Sequence, residues 1–112
     1  MGHLAIRQVS RNNQGKIRFT STLNKIILFS DSNFVLGNAQ VPNAFPVVYC
    51  SDGFCDLSGY PRAYIMQKGC ACKFLYGPGT DEEKRYEIEK SLEAKTELQV
   101  EVQFYIKNGE NF

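Results

Sequence analysis

Strict alternation of apolar and polar positions is clearest in residues 97–104. The apolar members are Leu98, Val100, Val102 and Phe104, and the positions between them are Glu or Gln. This period of two predicts a half-buried antiparallel strand. The dipeptide Asn108-Gly109 follows and predicts a hairpin turn.

Three residues remain after this predicted turn, whereas a return strand usually needs about five or six. The pattern therefore predicts a sheet that is cut before it is complete. Either the chain is a fragment, or another segment or another chain covers the open edge, because an uncovered edge favours aggregation.

A helical pattern precedes the alternating strand. Ile88 and Leu92 are four residues apart and share one helical face. The sequence Thr80-Asp81-Glu82-Glu83 is typical of a capping box and brings carboxylates to the positive end of a helix dipole. We expect one long helix from Thr80 to about Lys95, packed on a sheet.

The middle of the chain contains two apolar runs, residues 33–40 and 46–50, with a Pro-Asn turn between them. Two antiparallel strands are the simplest prediction. Ser51 or Asp52 then caps a short helix that ends at Gly59. A second short helix over 62–68 begins after Pro61 and ends at Gly69.

The first 32 residues have a weaker pattern. Residues 1–19 have scattered apolar positions and an Asn-Asn-Gln-Gly stretch, which predicts a mobile segment. In residues 20–29, a spacing of three and four places Leu23, Ile26 and Ile27 on one face, which predicts a short amphipathic helix.

Composition narrows the class of protein. A chain of 112 residues suits one domain, and 43% hydrophobic with 22% charged residues is typical of soluble proteins. The longest aliphatic-aromatic run has four residues, far short of the roughly 20 of a membrane span. Four cysteines without a secretory signal predict reduced thiols in the cytoplasm.

Charge and cysteine spacing exclude two further classes. Residues 1–32 carry five basic side chains and one acidic one, whereas residues 33–112 carry eight and eleven, so the main part is net negative. That balance, with aromatics on predicted buried faces, excludes a basic stacking platform for nucleic acid. The cysteine spacings lack the paired Cys-x2-Cys of structural zinc, so no metal site is expected.

Four stretches carry a family resemblance: NFVLGNAQ, FPVVYCSDGFCDLSGY, IMQKGCACKFLYGPGTD and the Tyr105-x-Lys-Asn-Gly turn. They closely resemble the N-terminal PAS domain of voltage-gated potassium channels of the ether-à-go-go class, nearest to the Elk-like branch, over residues 32–112. The resemblance implies an α+β fold: a PAS-like antiparallel sheet with short helices and one longer helix on one face, with the C-terminal strands missing. Residues 1–32 would be a divergent N-terminal cap or tail, and residues 33–112 an incomplete PAS domain.

By the same resemblance the chain is a cytoplasmic regulatory module without enzymatic activity or cofactor. In that family the domain docks on the cyclic-nucleotide-binding homology domain of the tetrameric channel and tunes gating, and it meets the membrane through the parent channel alone. The piece itself is expected to be soluble and to bind no nucleic acid.

The resemblance places Phe34, Asn38, Tyr49 and Arg62 at or near the family's docking and gating-sensitive surface. Val48 is a further candidate, because residues 47–49 alternate sides of a strand and some of them must face outward. An exposed apolar patch of this kind marks an interaction site. The alternative is that a cap helix or the missing strands cover it.

Two other functions remain open. Residues 69–78 resemble the flavin-binding LOV signature G-x-N-C-R-F-L-Q-G, and Cys72 matches its photoadduct cysteine. Ala71 and Tyr76 replace the Asn and Gln of that signature, however, which would cost about 1–3 kcal/mol for each unpaired polar group. Cys72 is therefore better interpreted as a small buried hydrophobe. The second alternative is a free-standing PAS-like domain that completes its sheet by dimerisation.

Overall fold

Five strands form one antiparallel sheet in the part of the chain that the computed structural model describes, residues 4–11, 14, 16–27, 33–41 and 45–110. The strands are β1 (Leu4–Arg11), β2 (Ile17–Leu23), β3 (Asn33–Asn38), β4 (Val47–Cys50) and β5 (Leu98–Glu101). Their order across the sheet is β4-β3-β1-β2-β5. The α+β prediction is confirmed, as is the antiparallel pairing of the two middle runs.

The helices follow the predicted caps closely. They are α1 (Asp52–Ser58), α2 (Arg62–Met66) and α3 (Glu82–Ala94), with one 3-10 turn at Lys73–Leu75. The Ser51 hydroxyl accepts a hydrogen bond from the Phe54 amide at 3.2 Å. Gly59 ends α1 with φ 78°, a left-handed conformation that glycine adopts without a steric cost. The second helix is two residues shorter than the predicted 62–68.

The start of α3 differs in detail from the predicted capping box. The Asp81 carboxylate, rather than Thr80, caps the helix and accepts from the Glu83 amide at 2.7 Å. The Thr80 hydroxyl instead donates to the Gln103 carbonyl at 2.7 Å. Thr80 thus ties the start of α3 to the chain beyond β5, which is why the helix begins two residues later than predicted.

The N-terminal prediction is wrong. Residues 4–11 and 17–23 form the hairpin β1–β2 rather than a mobile segment and an amphipathic helix, although residues 28–30 lie outside the described residues. Ile17 and Phe19 alternate with polar residues, and the β-branched Thr20 and Thr22 favour a strand. A strand buries Ile17 and Phe19 in the core, a gain that the helical spacing around Leu23 could not supply.

This hairpin connects the two parts of the sheet. β1 pairs with β3 on one side and with β2 on the other, and β2 in turn pairs with β5. Within the described sheet β5 has β2 as its neighbour, so the hairpin joins β5 to β3 and β4. The predicted open sheet is therefore covered by another segment of the same chain, which was one of the alternatives left open.

The core lies between the sheet and α3, where Ile88 and Leu92 are buried as predicted. β5 ends at Glu101, earlier than the predicted strand, but Val102 and Phe104 still bury their side chains. Phe104 meets Phe19 edge to face, with ring centroids 5.7 Å apart. The core is thus shared between the hairpin and the C-terminal part of the chain.

Candidate docking surface

The sheet has one face toward the core and one face away from it. Val35 pairs with Cys50, and both are fully buried in the core. Because neighbouring residues of a strand point to opposite faces, Phe34 and Leu36 lie on the outer face, and Tyr49 lies there as the partner of Leu36. Two of the predicted docking residues, Phe34 and Tyr49, are therefore on the same side of the sheet.

A β-bulge explains why two consecutive residues of β4 are exposed. The register shifts between Leu36 and Gly37, so that Tyr49 pairs with Leu36 and Val47 with Gly37, and Val48 is the extra residue. Val48 is 51% exposed and Tyr49 46% exposed. We refer to Phe34, Leu36, Val48 and Tyr49 as the outer patch.

The two aromatic rings of the outer patch are in contact. Their centroids are 5.9 Å apart, and the ring planes are tilted by 35°. Phe34 is half-buried against its neighbours, whereas Tyr49 is exposed enough for its ring to contact a partner protein. A tyrosine backed by a phenylalanine presents a large rigid contact area with a polar hydroxyl, as is common in protein interfaces.

Arg62 lies at the border of the outer patch. It begins α2, which packs against β4, and its Nη1 donates to the Cys50 carbonyl at 2.5 Å. The other end of the guanidinium forms an ion pair with the exposed Asp52 carboxylate. The positive charge is thus fixed one residue along the backbone from Tyr49.

Asn38 shares the outer face with Leu36 but serves a turn. Its side-chain oxygen accepts from the Gln40 amide at 2.9 Å, and its own amide donates to the Pro46 carbonyl at 2.9 Å. Asn38 is half-buried. It therefore shapes the connection between β3 and β4, while the exposed area comes from Val48 and Tyr49.

Sequence reasoning missed the segment that crosses the outer face beside the patch. Gln8 of β1 pairs with Phe34 and points outward, and its amide group bonds both the Ile27 amide, at 3.0 Å, and the Ile27 carbonyl, at 2.7 Å. Gln8 is consequently buried, and the neighbouring Ile26 is 49% exposed. The alternation in residues 17–23 could have indicated the strand β2, but it does not indicate the contact between Gln8 and Ile27.

Cys72 lies inside the core rather than at a surface. It has a left-handed backbone with φ 62°, and its thiol donates to the Cys70 carbonyl at 3.4 Å. Burial raises the pKa of Cys72 to about 12, although the nearby Arg7 guanidinium opposes that rise. A thiol with so high a pKa is a poor nucleophile at neutral pH.

Three further findings concern other classes of site. A groove of ≈ 300 Å³ lies between α3 and the loop before the 3-10 turn, lined in part by Lys68, Lys73 and Glu89. No described residues form a group of three or more metal-binding side chains. Within the same described part, no helix is both long and apolar enough to span a bilayer.

Comparison with known proteins identifies the fold and its relatives. Residues 31–112 match the PAS domain family model. The human voltage-gated delayed rectifier potassium channel KCNH8 is 59% identical over 81 residues, which cover 72% of this chain and 7% of the channel. The human voltage-gated inwardly rectifying potassium channel KCNH3 is 62% identical over 78 residues, covering 70% of this chain and 7% of the channel.

A solved structure agrees with these matches. The crystal structure of the PAS domain from the fruit-fly ELK potassium channel superposes with a TM-score of 0.69 and 66% identity, covering 71% of this chain and 64% of that chain. The chain thus spans about 7% of the length of the curated channels that it matches. It belongs to the PAS domain family, in which its relatives are the N-terminal PAS domains of KCNH (EAG/ELK) voltage-gated potassium channels.

Proposed function

We propose that this chain is a regulatory interaction module of an ELK-type channel, and that the outer patch docks on the cyclic-nucleotide-binding homology domain of such a channel. The observation that carries the proposal is the contact between the half-buried Phe34 and the exposed Tyr49, which lies beside the exposed Val48 on the sheet face away from the core. Apolar side chains exposed together on one face favour a protein partner.

The mechanism is differential docking. A module that binds its partner more tightly in one gating state shifts the gating equilibrium by the difference between the two binding free energies, and by no more. The Arg62 guanidinium, fixed at the border of the patch, would add orientation through charge, because rim charges act mainly on association rate and specificity. The module needs no catalytic group for this role.

Binding of the purified chain to an isolated ELK-type cyclic-nucleotide-binding homology domain tests the proposal. The substitution Val48→Glu places a charge in the centre of the patch and should weaken binding at least about tenfold, the effect expected of a buried hot-spot position. Tyr86→Glu is the matched control, because Tyr86 is an exposed aromatic residue on α3, away from the outer patch. Equal effects of the two substitutions, or no binding by the unaltered chain, would contradict docking through this surface.

The same preparation separates the two alternative functions. A flavin photosensor would show visible flavin absorption, and illumination would change that absorption. Cys72→Ala would alter this light-induced change. A dimerisation domain would show twice the chain mass in solution, reduced to the single mass by Val48→Glu. Under the docking proposal we expect a monomer that binds the channel domain and whose spectrum lacks flavin bands.

A further inference from the structure

Two thiols lie in contact next to the outer patch. Cys50 ends β4 and Cys55 lies on α1, and their sulfur atoms are 3.7 Å apart. The Ser51 cap produces this approach, because the Cys55 amide donates to the Ser51 carbonyl at 3.3 Å and the first turn of α1 folds back over the end of β4. A disulfide has a sulfur–sulfur length of about 2.05 Å, so the two atoms need to move together by less than about 2 Å.

The two thiols differ in access to solvent. Cys50 is fully buried, whereas Cys55 is half-buried. A water-borne reagent therefore meets Cys55 first. Cys50 lies behind it, protected from that reagent but within reach of the Cys55 sulfur.

Arg62 supplies a positive charge at the same place. Its Nη1 lies 3.7 Å from the Cys50 sulfur. Burial, the neighbouring Cys55 thiol and the Asp52 carboxylate together raise the pKa of Cys50 to about 11, and the Arg62 guanidinium opposes that rise. Oxidation of Cys55 removes the thiol that opposes ionisation of Cys50 and leaves Arg62 in place, so the first step favours the second.

We propose that Cys50 and Cys55 are a reversible redox-modification site for a hydroperoxide. The Cys55 thiolate attacks the terminal peroxide oxygen, the O–O bond breaks, and Cys55 becomes a sulfenic acid while the peroxide leaves as water or alcohol. The Cys50 thiol then loses its proton as it attacks the Cys55 sulfur within the protein, the S–O bond breaks as the S–S bond forms, and the leaving hydroxide takes up that proton as water. The two thiols lose two electrons, which reduce the peroxide, and an external thiol reverses the bond by exchange.

Cys70 and Cys72 form an internal control for this chemistry. Both are fully buried, and the Cys72 thiol donates to the Cys70 carbonyl. Neither has a half-buried partner that could react first. Oxidation should therefore be confined to the first pair.

The site has a consequence for the outer patch, and this consequence rests on the proposed function. Cys50 follows Tyr49, and its carbonyl holds Arg62. Drawing the two sulfurs together pulls the end of β4 toward α1 and displaces Tyr49 and Arg62, which are both docking candidates. Oxidation should accordingly weaken docking about threefold or more, which corresponds to a loss of at least about 0.65 kcal/mol of binding free energy.

The test treats the full chain with stoichiometric hydrogen peroxide, alkylates the remaining thiols after unfolding, and maps the peptides by mass spectrometry. We expect a linked Cys50–Cys55 peptide that dithiothreitol removes, with Cys70 and Cys72 still alkylated. Cys55→Ser should abolish the link and slow thiol loss about tenfold or more, because the exposed thiol is gone. In Cys50→Ala the sulfenic acid on Cys55 should persist long enough to be trapped by dimedone.

The role of Arg62 is tested separately, by the rate at which the disulfide closes after Cys55 is oxidised. Arg62→Gln should slow closure and allow the sulfenic acid to accumulate, and Arg62→Lys should restore closure, because the charge rather than the shape assists ionisation of Cys50. A linked peptide elsewhere, overoxidation without a link, or unchanged thiol loss in Cys55→Ser would overturn the site. If the link forms and binding to the channel domain is unchanged, regulation is overturned while the redox site stands. If the unaltered reduced chain does not bind at all, docking fails independently of the covalent result.

Discussion

The guanidinium of Arg7 in β1 donates to the backbone carbonyl of Ile88 in α3 at 3.1 Å, inside the core. The side chain is fully buried and lies over the Phe19 ring, with 4.8 Å between Cζ and the ring centroid. Its Nε and Nη1 have no hydrogen-bond partner. An N-terminal residue therefore couples the sheet to the long helix through a charge that is only partly satisfied.

Replacing Arg7 by methionine should stabilise the fold. The substitution keeps an unbranched stem against Phe19 and removes a buried charge, so the free energy of unfolding should rise by about 1–3 kcal/mol. Urea unfolding measures the change. Arg18→Met is the control, since Arg18 is half-buried on β2 and bonds the Ser10 hydroxyl, and its effect should stay within about 0.5 kcal/mol. A loss of stability in Arg7→Met would show that the bond to Ile88 and the contact with the Phe19 ring outweigh the cost of the buried charge.

Arg7 also shows why the burial of the hairpin at the centre of the sheet could not be predicted from the sequence. Six of the nine buried polar or charged residues in the described part of the chain lie in β1 or β2: Arg7, Gln8, Ser10, Thr20, Ser21 and Thr22. A strand that is covered on both faces usually consists of consecutive apolar residues. β1 and β2 contain many polar residues instead, so this sequence signal is absent from them. The burial of Gln8 depends on Ile27, nineteen residues away, which no local pattern reveals.

Local sequence signals were sufficient to predict α1. The Ser51 cap and the Gly59 stop of α1 follow from neighbouring residues. Val48 and Tyr49 are both exposed because of the β-bulge opposite Gly37, and the alternation of residues along the strand did not predict that bulge. The docking residues other than Val48 came from the family resemblance and their docking role stays a prediction, whereas the geometry of the surface depends on the packing around that bulge.

That packing gives a prediction for Gly37. A methyl group at Gly37 would collide with the side chain of the buried Cys70, so Gly37→Ala should lower the free energy of unfolding by about 1–3 kcal/mol. Gly53→Ala is the control, because at that position in α1 the methyl group meets the flexible Asn33 amide and alanine favours a helix by up to about 1 kcal/mol. Thermal unfolding of both variants checks the difference. Similar stabilities would show that Cys70 moves aside freely.

Alkaline pH should destabilise the protein through Cys72. Burial raises the pKa of this thiol from 9.0 to about 12, so folding favours the protonated form. The stabilisation is fully present below pH 9.0, and it is lost as the pH rises toward 12, because the unfolded state releases its proton first. Urea unfolding in reducing buffer at a series of pH values measures this slope. Cys72→Ala should flatten it, and an unchanged slope would assign the alkaline loss to other groups, such as Tyr76, whose pKa burial also raises.

The hairpin should control the pairing of β5. Phe19 is fully buried, packs edge to face on Phe104, and lies in the strand that pairs with β5. Phe19→Ala removes that contact and should cost about 3–5 kcal/mol of unfolding free energy. Because β2 joins β5 to the sheet, hydrogen exchange should accelerate more in residues 98–101 than in β4.

Phe34→Ala is the matched control for this experiment, because Phe34 is half-buried on the outer face and its loss leaves the core intact. It should destabilise the chain less than Phe19→Ala and leave exchange in residues 98–101 close to that of the unaltered protein. If Phe19→Ala instead accelerates exchange equally in all strands, the sheet opens as one unit. In that case the N-terminal hairpin is part of a single cooperative core rather than the local link that holds β5 in the sheet.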